Sequence, residues 1–163
     1  RWEKVAQEMV NHYELPEVPK ILDVGCGKGY LLFDFLKVLE DPEIAGIDIS
    51  EYAITNAKPE IKDKLRVGNA TCLPWPDNYF DLVISTNTFH CLHNYDLDKA
   101  LREVDRVGKD NKYICVESYQ SEEEKANLLY WQVTCEAFCT PKEWDWWFKQ
   151  TGYMGDHSFI YFQ

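Results

Sequence analysis

The stretch Ile21-Leu22-Asp23-Val24-Gly25-Cys26-Gly27-Lys28-Gly29-Tyr30 is where this chain is best equipped to do chemistry. An apolar run ends in alternating glycines, and a helix-like segment follows. Glycines let a backbone turn tightly and come close to a ligand. The carboxyl end of a buried parallel strand is where such ligands sit. A dinucleotide loop would need Gly-x-Gly-x-x-Gly, but Tyr30 stands at the sixth position and the third glycine comes early, at Gly29. A phosphate-cradling loop would need Gly-Lys followed by Ser or Thr, and Gly27-Lys28 is followed by Gly29. Acids flank the loop at Asp23 and, after a second apolar run, at Asp48. A pyrophosphate would be repelled there, whereas a cation would be attracted. S-adenosylmethionine, with its sulfonium and ammonium groups and no phosphate, suits such a loop.

The elements that must position these residues alternate. Residues 2–13 place Trp2, Val5, Ala6, Met9, Val10 and Tyr13 on one helical face. Strands are expected at 20–24, 43–49, 65–68, 80–85 and 112–117, and helices at 30–39, 51–58 and 97–107. Ser50 is placed to cap the second of those helices. Ser121-Glu122-Glu123-Glu124 opens a helix predicted to run to about Phe138, with Leu128, Trp131 and Cys135 as a core stripe. Thr140-Pro141-Lys142-Glu143 opens another. Gly108-Lys109-Asp110-Asn111 reads as a turn, and 152–162 as a final strand or short hairpin. Strands that are apolar runs, alternating with helices, predict a parallel sheet covered on both faces.

Composition narrows the partners. The 163 residues suit one domain, 1–163, with no linker or repeat. Lys plus Arg is 17 against 28 Asp plus Glu, a net charge of −11. Such a chain is a poor partner for nucleic acid or an anionic membrane. It has no membrane-length apolar run and no signal-peptide pattern, and its six scattered cysteines read as free thiols, so a cytoplasmic setting is expected.

Four motifs in order resemble the class I S-adenosylmethionine-dependent methyltransferases, in the broad group that acts on small molecules. They are Leu22-Asp23-Val24-Gly25-Cys26-Gly27-Lys28-Gly29, Gly46-Ile47-Asp48-Ile49-Ser50, Gly68-Asn69-Ala70 with Leu73-Pro74-Trp75, and Phe80-Asp81-Leu82-Val83-Ile84-Ser85. The resemblance implies a Rossmann-like α/β fold with a mostly parallel sheet that ends in a sixth strand and an antiparallel seventh, but only 152–162 remain for both, so shortened C-terminal strands are expected. It implies that Asp48 holds the ribose hydroxyls, that Ile49 lies against the adenine and that Asn69 and Ala70 flank it. Asp23, Gly25, Cys26, Gly27 and Gly29 would cradle the methionine end, and Ser85 and Thr86 would line the pocket beside the transferred methyl. Asn69 stands where the family commonly has Asp. The stretch Thr86-Asn87-Thr88-Phe89-His90-Cys91-Leu92-His93 would lie between cofactor and acceptor, with His90 as the candidate base. Its His-x-x-His spacing has no matching third ligand, so no metal is expected. Two other readings compete with a small-molecule methyltransferase: a cofactor-binding scaffold without turnover, and an enzyme acting on a protein. A nicotinamide oxidoreductase is disfavoured by the glycine spacing.

Overall fold

The computed structural model describes residues 2–162. Six strands form one sheet in the order β3-β2-β1-β4-β5-β6. They are β1 (Lys20–Val24), β2 (Glu43–Asp48), β3 (Leu65–Val67), β4 (Phe80–Thr86), β5 (Gly108–Glu117) and β6 (Asp156–Ile160). Every pairing is parallel, including β5 with β6, where Tyr113 lies opposite Asp156. The expectation of a mostly parallel sheet is thus met in full. The expected final strand is the single β6, and the described residues contain no antiparallel seventh strand.

Alternate residues of the inner strands feed two cores. Ile21, Leu82 and Ile84 face α1 (Glu3–His12) and α2 (Tyr30–Val38), where Ala6, Leu32 and Phe35 are fully buried. Leu22, Val24, Val83, Ile114 and Val116 face α4 (Asn94–Val107) and α6 (Pro141–Thr151), whose Leu101, Val104 and Trp144 are fully buried. Both faces being covered explains why the strands read as continuous apolar runs. The remaining helices are α3 (Glu51–Thr55), capped by the Ser50 hydroxyl, and α5 (Glu122–Trp131), capped by Ser121. No helix among the described residues is long and apolar enough to cross a membrane.

Two expectations about local structure are corrected. The helix opened at Ser121 stops at Trp131 rather than near Phe138. Gln132 caps it and donates its side-chain amide to Glu117 Oε1 at 2.5 Å, while the Glu136 and Ala137 N–H groups donate to the His90 carbonyl. These tertiary bonds take the backbone groups that a longer helix would have used, and helix propensity is too weak a preference to resist them. The expected core stripe therefore divides: Leu128 and Cys135 are buried, but Trp131 is 67% exposed. Residues 108–111 are not a turn. Gly108 pairs with Phe80 and Asn111 with Leu82, with a register shift between them, so β5 begins early through a bulge.

Candidate cofactor and methyl-transfer site

The strand order reverses between β1 and β4, and at the carboxyl ends of these strands the crossover connections part. That is where an open parallel sheet leaves a crevice. A groove of about 340 Å³ lies there, lined by Gly25, Asp48, Ile49, Asn69, Ala70, Thr88, Leu92 and Asp96 among others.

The glycine loop is built as the sequence requires. Gly25, Gly27 and Gly29 all adopt positive φ, the left-handed region open to glycine at little cost. A side chain on Gly25 would run into Thr88, whereas the position of a Cβ on Gly27 has nothing within 4 Å. The loop is closed from behind by Gly25 and Cys26, whose N–H groups both donate to the Ile47 carbonyl. Asp48 is fixed by backbone donors on both oxygens, Gly27 N at 2.7 Å and Ser50 N at 2.8 Å. Each carboxylate oxygen keeps acceptor capacity beyond one bond, so Asp48 can still take hydroxyl protons. Ile49 is 74% exposed beside it, a free apolar face at the groove wall.

Asp23 sits beneath the loop, 3% exposed, and its Oδ1 has no hydrogen-bond partner among the described residues. Burial, with the charge of Asp48 adding to it, pushes its pKa up to about 7. An orphaned buried carboxylate is costly, and a cationic group placed against it would remove that cost. The donor set thus fits S-adenosylmethionine: a carboxylate for an ammonium, a second carboxylate for a diol, an open glycine turn and an apolar wall.

The remaining expected residues divide between groove and scaffold. Asn69 and Ala70 line the groove, with Asn69 Oδ1 accepting from Thr71 N at 2.9 Å. The loop that carries them is clamped by α4. Arg106 donates to the Leu73 and Trp75 carbonyls, and Glu103 accepts from Leu73 N. The Cys26 thiol is buried under Gly46, so only its backbone is near the loop's outer face. Ser85 is 1% exposed and donates to the Val24 carbonyl, which ties β4 to β1 rather than facing the groove. Thr86 is half-buried at the end of β4 and is not part of the groove wall.

His90 is the clearest correction. It is 1% exposed and lies outside the groove. Its Nδ1 accepts from Glu117 N at 3.3 Å, which leaves the ring proton on Nε2, 3.3 Å from Glu117 Oε2. Burial pushes its pKa down to about 4. A general base must reach the proton it removes. This ring instead joins the turn after β4 to the end of β5. The residues that do reach the groove from that turn are Asn87, Thr88, Cys91 and Leu92, all in the stretch expected between cofactor and acceptor, whereas Asp96 lies outside it. One signal was available: Asn87 takes φ 56°, a conformation Asn tolerates better than other side-chain-bearing residues, and it turns the chain at the end of β4.

Comparison with known proteins agrees with this geometry. The sequence profile of the methyltransferase domain family matches residues 18–152. A demethylmenaquinone methyltransferase from Symbiobacterium thermophilum is 35% identical over 127 residues, covering 72% of this chain and 50% of that one. Ajmaline N-methyltransferase from Rauvolfia serpentina is 33% identical over 129 residues, covering 71% and 43%. The crystal structure of YcgJ from Bacillus subtilis superposes with a TM-score of 0.71 at 20% identity, covering 91% of this chain and 68% of that one, a likeness of fold. The chain spans about half the length of the curated relatives it matches. On its profile match, its relatives and its six-stranded Rossmann-like sheet, this chain belongs to the class I S-adenosylmethionine-dependent methyltransferase family.

Proposed function

We propose that this chain binds S-adenosylmethionine in the groove at the β1–β4 switch point and catalyses methyl transfer to a small-molecule acceptor. The observation that carries the reading is the pair of carboxylates: Asp48 held open by two backbone N–H groups, and Asp23 buried with its Oδ1 unpartnered among the described residues. In this reading Asp48 accepts from the ribose hydroxyls. Ile49 and Ala70 take the adenine between them, with Asn69 at its edge. Asp23 balances the ammonium, directly or through a water. Gly25, Gly27 and Gly29 keep the backbone out of the ligand's way, and the loop's fixed geometry supplies orientation, the main thing a displacement reaction needs from a protein. Bound S-adenosylmethionine supplies the activated methyl group.

Thr88 and Leu92, on the turn after β4, line the groove opposite Asp48 and Ile49 and shape the approach for the acceptor. A nucleophile with a free lone pair needs no base for an in-line displacement, so alignment and exclusion of water carry the step. Relatives named for a quinone and for an alkaloid acceptor support the small-molecule class, and the charge of −11 disfavours nucleic acid. We place the protein in the cytoplasm, where its six free cysteines would stay reduced. The test is incubation with methyl-labelled cofactor and a panel of quinol, amine, thiol and phenol acceptors. Label in a product from any of them supports the reading. Label only in added protein would move the acceptor class to polypeptides, and tight cofactor binding with no labelled product would make the chain a scaffold.

A further inference from the structure

The irregular segment after α5 folds back onto the turn that lines the groove. Residues 132–140 carry neither helix nor strand. The Glu136 and Ala137 N–H groups donate to the His90 carbonyl, both at 2.9 Å, and the Thr134 hydroxyl lies 3.5 Å from Cys91 Sγ. Cys135 is therefore bracketed by two residues that each touch residues 90–91. Cys91 itself is half-buried and lines the groove, while Cys135 is 5% exposed. Glu117, whose Oε2 lies 3.3 Å from His90 Nε2, is close enough to both thiols for its charge to act on them. The other four cysteines have different surroundings: Cys72 is exposed, Cys115 is half-buried on β5, Cys26 packs under Gly46, and Cys139 is buried in the core that holds Trp144.

We propose that Cys91 and Cys135 form a reversible disulfide, made by hydrogen peroxide, that staples residues 132–140 to the groove wall and weakens cofactor binding. The last clause rests on the cofactor reading above, whereas the bond itself does not. The step balances. The Cys91 sulfur attacks the peroxide, the O–O bond breaks, an S–O bond forms, and the first water leaves. The Cys135 sulfur then attacks Cys91, the S–S bond forms, the S–O bond breaks, and the second water leaves. Two thiols are oxidised, one peroxide is reduced, and the two thiol protons end in the two waters. The lack of regular structure in the segment lets Cys135 reach the tight separation a disulfide demands. Burial raises both thiols above the usual range, Cys135 to about 12, so the reaction should quicken as pH rises.

The experiment is to treat the reduced protein with hydrogen peroxide and map peptides without reduction. The expected result is a link between the peptides carrying Cys91 and Cys135 that dithiothreitol removes. Cys135→Ser should instead leave a dimedone-reactive sulfenic acid at Cys91, and Cys91→Ser should leave no such link. Affinity for S-adenosylhomocysteine should fall by about fivefold or more in the linked protein and return on reduction. Oxidation at Cys72 or Cys139 with Cys91 and Cys135 unlinked would overturn the pair. A link with unchanged affinity would overturn its effect on the groove. A link in a protein that binds no S-adenosylhomocysteine even when reduced would support the pair and overturn the cofactor reading.

Discussion

The two ends of this molecule are organised by different forces. From β1 to α3 the chain is governed by its backbone: three left-handed glycines, a carboxylate held by two N–H groups, and a serine cap place each group within a few residues of where the sequence put it. After β5 the chain is governed by side chains far apart in sequence. Trp144 is fully buried and donates its indole N–H to the Glu117 carbonyl, Gln132 reaches the Glu117 carboxylate, and Ser118 donates to the Cys139 carbonyl. The first region lines an open groove, and the second holds the sheet's far edge. Local rules suffice where the backbone decides, and fail where tertiary contacts compete with it.

Substitutions can separate the two regions. The largest effect on stability should come from Trp144→Ala, which empties a fully buried site stacked on Phe148 and orphans the Glu117 carbonyl. A loss of about 3–5 kcal/mol in denaturant unfolding is expected. An unchanged midpoint would mean that the C-terminal region is not held by this core.

A comparable effect, spread over pH, should come from Asp23. Its folded pKa of about 7 lies above the ordinary carboxylate value. The folded state therefore keeps a proton that the unfolded chain loses, and stability falls as pH rises between about 4 and 7, by at most about 4 kcal/mol. Asp23→Asn should flatten that part of the profile. A cationic ligand favours the ionised form, so binding near pH 6 should release protons, measurable by calorimetry in buffers of different ionisation enthalpy. A profile unchanged by the substitution would contradict the assignment.

Asp48→Ala should weaken S-adenosylhomocysteine binding by about 2–3 kcal/mol, since two hydrogen bonds to a charged group are lost. The Gly27 and Ser50 N–H groups lose their acceptor too, so unfolding should be followed alongside, and the binding loss should exceed the stability loss. The smallest effect should come from Trp131→Ala. With 67% of the residue exposed, stability should stay within about 0.5 kcal/mol. A large loss would restore the core stripe expected from helical spacing.

These contrasts also explain what could be read from the sequence. The positions of the strands along the chain, the glycine turn and the Ser50 cap follow from local pattern and from the family resemblance. The early start of β5 at Gly108 escaped because a bulge, not a turn, absorbs the polar residues Lys109 to Asn111. The end of α5 escaped because Glu117 and the His90 carbonyl, distant in sequence, capture Gln132, Glu136 and Ala137. His90 stood in the right stretch but points into the core, since nothing in the residue order tells which side of a tight 3₁₀ turn faces the groove. Asp81 shows the same lesson inside a motif. It accepts from Lys20 N at 2.8 Å and from Lys109 Nζ at 2.7 Å, clamping strand starts at the end opposite the groove.

The most direct test of the central claim is a calorimetric titration of the reduced protein with S-adenosylmethionine, S-adenosylhomocysteine and NAD in parallel. The two adenosyl sulfur compounds should bind and NAD should not. Binding of NAD alone, or of none of the three, would contradict a groove built around Asp23 and Asp48 for a cationic adenosyl ligand.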